Sequence, residues 1–103
     1  MPAYAALLLI ELHFPEAGSL KAKRKELSST KAQLRTRLGC AVSEVDHHDL
    51  WQRGTLAAAL TGGDLGRLQA HADEVERWLW ERYPTGVRVE RSLTSFDELP
   101  GVR

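Results

Sequence analysis

Between Glu44 and Arg53 the chain packs two histidines, three carboxylates, an indole and a guanidinium into ten residues, Glu44-Val45-Asp46-His47-His48-Asp49-Leu50-Trp51-Gln52-Arg53. Imidazole and carboxylate together suit either a divalent metal ion or general acid-base chemistry. A donor set here would take His47 or His48 with Asp46 or Asp49, and Glu11 and His13 would approach from the first apolar run. The spacing matches no HExxH helix and no cysteine-histidine metal motif. A serine elbow, a phosphate loop and a catalytic cysteine signature are also missing from the sequence. No catalytic residue, metal ligand or cofactor is therefore assigned. The competing reading is architectural: Asp46, Asp49 and Arg53 hydrogen-bond a bulged hairpin, and Trp51 anchors it into the core.

A second candidate lies upstream. From Ser19 to Arg37 stand Lys21, Lys23, Arg24, Lys25, Lys31, Arg35 and Arg37 against the single acid Glu26. At about 100° per residue, Lys21, Arg24, Lys25, Lys31 and Arg35 gather on one flank of a helix whose apolar stripe is Leu20, Leu27, Leu34 and Leu38. Such a ridge neutralises successive phosphates of RNA or DNA. The alternative is a solvated face, but pairing along the helix would require acids that this segment lacks.

The elements that position these groups follow from periodicity. Tyr4 to Phe14 is a strand, apolar on both faces as in the middle of a sheet, and Pro15 and Gly18 end it. Ser19 is an N-cap, and the helix it opens runs to about Leu38, where Gly39 stops it. Cys40 to Asp46 and Thr55 to Leu60 are short strands joined by a wide connection, the second despite alanines whose own preference is for helix. Asp64 caps a second helix, with Leu65, Leu68, Ala72, Val75 and Leu79 on its stripe, ending near Tyr83 and Pro84. Gly86 to Ser95 alternates as a last strand, and a loose tail begins at about residue 96.

Two βα-β halves of this size predict an α+β domain with the ferredoxin-like split βαβ order, βαββαβ. Residues 1–103 form one domain with a four-stranded, antiparallel-type sheet and both helices on one face. Leu7 and Leu9 then point to the uncovered face, which implies that a second subunit or another partner covers it, a homodimer or a pure protein-interaction module. Stacking of bases on that face is disfavoured, because Tyr4 and Phe14 fall on the core side.

The chain is neutral overall, so the basic excess near residues 19–37 leaves an equal acidic excess elsewhere and excludes coating of nucleic acid by bulk charge. Its one cysteine, Cys40, forms no internal disulfide and fits a reducing cytoplasm. The longest apolar run, Tyr4 to Ile10, falls well short of the roughly 20 residues that span a bilayer. It also lacks the basic flank of a signal peptide. A cytoplasmic protein without a membrane partner is expected.

Ile10-Glu11-Leu12-His13, Ser19-Leu20-Lys21 with Lys23-Arg24, and Glu44-Val45-Asp46-His47 followed by Asp49-Leu50-Trp51-Gln52-Arg53 together resemble the YlxP-like family of small bacterial proteins, a family without an established function. The chain departs from it at Ala22, His48 and Gly54, where the family more often has an acid, glutamine and alanine. The resemblance implies a ferredoxin-like fold. It also implies association with structured RNA or a ribosomal particle, because members are commonly encoded near translation-initiation and ribosome-maturation factors. It supplies no catalytic residues.

Overall fold

Apolar residues at alternate positions of four extended segments, and at helical spacing in two others, fold as the alternation requires. The computed structural model of the chain describes residues 2–98. The order is β1 (Tyr4–His13), α1 (Leu20–Thr36), β2 (Ala41–Asp46), β3 (Arg53–Gly62), α2 (Leu65–Arg82) and β4 (Val87–Ser95). One sheet of order β2-β3-β1-β4 has every neighbouring pair antiparallel. This is the expected α+β arrangement. Ser19 caps α1 by accepting a bond from the Ala22 amide at 3.1 Å, and Asp64 caps α2 by accepting from the Arg67 amide at 2.9 Å. Gly39 has φ 70°, the left-handed conformation that ends a helix at low cost in glycine.

Strand β3 is longer than its sequence suggests, ten residues instead of six. Its alanines are held in extended form because β2 and β1 bond it on both sides, and ladder pairing outweighs a weak intrinsic preference. Ala6, Leu8, Ile10 and Leu12 of β1 and Leu56, Ala58 and Leu60 of β3 form the inner face. Leu27, Leu34, Leu68, Ala72, Val75 and Leu79 cover it from the two helices.

The register arranges the outer face in rows across the strands. Ala41, Ala59, Leu7 and Ser92 make one row, and Ser43, Ala57, Leu9 and Glu90 make the next. A bulge between Glu44 and Asp46 then sets Asp46 opposite Thr55, which continues through Glu11 to Arg88. His13 faces Arg53 beyond them. The first two rows therefore carry leucine and alanine at their centre with serines and Glu90 at their edges, and the rows beyond them are mostly charged. Tyr4 and Phe14 pack with the core as expected, so no aromatic side chain stands in these rows.

The chain after β4 differs from expectation. Phe96–Glu98 forms a 3-10 turn, and the Phe96 amide donates to Ala3 O at 2.8 Å, so these residues are tied down instead of loose. The remainder of the expected tail lies outside the described residues.

Cys40 is 5% exposed, and burial pushes its thiol up to about 11 from an ordinary value of 9.0. The thiolate is the nucleophile, so alkylation of the folded protein at pH 8 is expected to be slow and to become fast in denaturant, as followed by mass spectrometry. Cys40's contribution to stability is full below pH 9 and is lost as pH rises toward 11, because the unfolded chain releases its proton first.

Candidate functional site

Lysine at a core position of a helix is costly unless its charge is met. Lys23 occupies such a position: it is fully buried, one turn before Leu27, with Thr30 and Leu34 continuing the same stripe. Its Nζ donates to His47 O at 2.7 Å and to His48 O at 3.4 Å, and lies 3.7 Å from the Glu44 carboxylate. The lysine is thus a tie between α1 and the connection that follows β2.

That tie explains the shape of the connection. His47 has φ 61°, a conformation that few residues other than glycine adopt and that costs about 1 kcal/mol. Its carbonyl receives both Lys23 Nζ and the Leu50 amide, the latter at 3.3 Å, and its own amide donates to Asp46 Oδ1 at 2.7 Å. The His47 ring nitrogen Nδ1 pairs with Thr55 Oγ1 at 2.7 Å, which covers Thr55 on the otherwise open face. Trp51, expected to anchor this segment in the core, is 49% exposed. Lys23 anchors it instead, because a long stem with a charged tip can satisfy two carbonyls and a carboxylate at once, whereas an indole offers one donor.

The ten-residue constellation is divided by the alternation of the strands. Glu44 turns inward to Lys23. Asp46, Glu11 and Arg88 share a row on the outer face, and His13 and Arg53 stand beyond them. Asp49 and Trp51 are exposed in the connection. Glu11, His13, Arg53 and Arg88 line a shallow recess of about 240 Å³, closed at one side by Thr85 and Gly86. Among the described residues no group of three or more histidine, cysteine or acidic side chains is close enough to hold a metal ion.

The basic ridge is assembled as a surface. Lys21, Arg24, Lys25 and Arg35 are exposed and Lys31 is half-buried, and none has a carboxylate within 4.0 Å among the described residues. Arg35 is partly committed, since its Nη2 donates to Val42 O on the edge strand β2 at 2.8 Å. This bond places the flank over β2, on the side away from α2.

Glu26, the one acid of α1, is drawn to the other side. It accepts from Arg82 Nη2 and from the Tyr83 hydroxyl, each at 3.0 Å, and Thr30 shares the Tyr83 hydroxyl. Burial pushes the Tyr83 phenol up, against hydrogen bonds to Thr30 and Arg82 that pull it down. Burial by itself would lower the Arg82 guanidinium. Its partners Tyr83 and Glu26 reverse that and raise it, so the guanidinium stays charged at physiological pH. Glu26 is consequently unable to offset the ridge.

Sequence reasoning placed the ridge and missed Lys23. The signal was present: three residues after Leu20 and four before Leu27, a lysine falls inside the leucine stripe.

Comparison with known proteins adds a family and a fold. A family model described as Protein of unknown function (DUF503) matches residues 5–91. No curated protein matches. Among solved structures, the de novo designed protein Foldit4 is similar with a TM-score of 0.59 at 10% identity, over 90% of this chain and 97% of its own. A mutant of SnoaB, a cofactor-independent oxygenase from Streptomyces nogalater, aligns with a TM-score of 0.41 at 11% identity, over 98% of this chain and 99% of its own. The designed protein supports the fold and nothing further.

Proposed function

We propose that this chain, which belongs to the DUF503 family, is a cytoplasmic binding module that seats structured RNA, free or within a ribosomal particle, on the basic flank of α1. One observation carries the reading: five cations lie along one helix flank without a carboxylate beside them among the described residues, while the helix's only acid is held on the opposite flank by Arg82 and Tyr83. Lys21 to Arg35 span about 21 Å at 1.5 Å per residue, a length that serves several phosphates of one strand. The mechanism is charge neutralisation with recognition of backbone shape, and no base stacks on the sheet. The single free thiol of Cys40 fits a reducing compartment.

Binding to ribosomal RNA or to ribosomes is expected to weaken linearly with the logarithm of salt concentration. The Arg24→Glu/Lys25→Glu double variant is expected to lower affinity about tenfold or more and to reduce the salt slope by about 2. Arg35 is left out because it also braces Val42. Co-sedimentation and filter binding measure the effect, with circular dichroism checking the fold. Equal binding by the double variant, with an unchanged salt slope, would exclude this function.

A further inference from the structure

The outer face of the sheet is an unpartnered surface with its large and small residues sorted by strand. Leu7 and Leu9 of β1 are 53% and 37% exposed, and their register neighbours on β3 are Ala59 and Ala57. We propose that a second copy of this chain covers this face, related by a two-fold axis that runs along the strands between β1 and β3.

That axis turns one sheet over onto the other with levels preserved, so β3 of each copy faces β1 of the other and β2 faces β4. Leu7 and Leu9 of one copy then seat on Ala59 and Ala57 of the other, twice over, and bulk meets space on both sides of the axis. At the borders Asp46 of each copy comes opposite Arg88 of the other. Asp46 and Arg88 are 71% and 74% exposed, and their contacts within one chain, Asp46 with His47 and Arg88 with Glu90 at 3.4 Å, lie at the surface, where a partner's opposite charge can share them. No other occupant is specified by the surface in this way: a row of leucines beside a row of alanines, with an acid and a base at the two borders of one level, is complementary to itself.

The size also fits. Strands of six to ten residues, about 4.8 Å apart and rising about 3.4 Å per residue, present a face of roughly 570 Å² per copy. A pair buries about 1,100 Å², just above the approximately 1,000 Å² that a specific interface requires. Both α1 helices end up on the outside, so their basic flanks remain free. The dimer and the RNA reading therefore stand or fall separately.

Light scattering and sedimentation across a concentration series test this directly. The native chain is expected to be a dimer, and Leu7→Asp is expected to be a monomer with unchanged circular dichroism, since Leu7 is outside the core of a single copy. In a Cys40→Ala background, Asp46→Cys/Arg88→Cys is expected to be joined between chains by a short bifunctional thiol reagent, because facing sheets pack about 10 Å apart. Within one chain these positions are three strand spacings apart, about 14 Å, so a reagent that bridges Cα atoms only about 10 Å apart joins them between chains alone. A native chain that is monomeric throughout overturns the proposal. So does a dimer that tolerates Leu7→Asp, or one that fails to crosslink through the cysteine pair.

Discussion

Urea unfolding of the Lys23→Met chain is expected to give a free energy about 3 kcal/mol below that of the native chain, with the same fold in circular dichroism. Methionine keeps most of the stem's packing, so the difference isolates the ammonium. Two backbone carbonyls lose a charged donor, and Glu44, 20% exposed, is left facing them without its lysine. Part of the cost is recovered because the buried cation no longer has to be desolvated, which keeps the expected value at the low end for breaking a buried pair. The loss is local as well as global. Without the ammonium, the His47 carbonyl is held only by the Leu50 amide, and the left-handed His47 backbone has less to stabilise it. Hydrogen exchange at Leu50 should therefore accelerate before the strands do. A Lys23→Met chain as stable as the native one would show that the tie is incidental.

Gly86→Ala is expected to lower stability by about 2 kcal/mol, or the melting temperature by about 10 °C for a domain of this size. A Cβ at Gly86 would lie 2.7 Å from the carbonyl oxygen of His13, a backbone atom that cannot swing aside. The His13 amide donates to Gly86 O at 2.8 Å, so relieving the clash also breaks this bond between the ends of β1 and β4. Gly54 supplies the control. The nearest atoms to a Cβ there belong to the Phe14, Leu27 and Lys23 side chains, at 3.4 to 3.5 Å, and its φ is not in the left-handed region. Gly54→Ala should be neutral or stabilising by up to about 1 kcal/mol, because alanine has fewer unfolded conformations to lose. Calorimetry on the two variants side by side separates close approach from a general intolerance of Cβ atoms. Equal melting temperatures would remove the steric argument at Gly86.

The residues of strand and helix are legible because their apolar spacing reports directly on what must be buried. The alternation in β1, the stripes of α1 and α2, and the caps Ser19 and Asp64 each rest on a handful of neighbouring side chains. Legibility fails where a residue's partner is distant in sequence. Lys23 counts as one more surface cation until the connection after β2 folds back and brings two carbonyls to it, 24 and 25 residues away. Trp51 looks like an anchor because indoles are usually buried, and it is exposed because the anchoring is done by that lysine.

Composition and local pattern determined the α+β class, the element order and the flank on which α1 carries its cations. All three depend on short-range spacing, which tertiary packing then uses without altering. The ten residues from Glu44 to Arg53 are the opposite case. Their density suggested one site, and the tertiary structure divided them between two faces of the sheet, because a bulge and a two-residue period send neighbouring side chains in different directions. Only the register across four strands put Asp46, Glu11 and Arg88 in one row and left Leu7 and Leu9 beside the alanines of β3. Pairing between distant segments decides what a surface offers, and no local pattern in the chain encodes it.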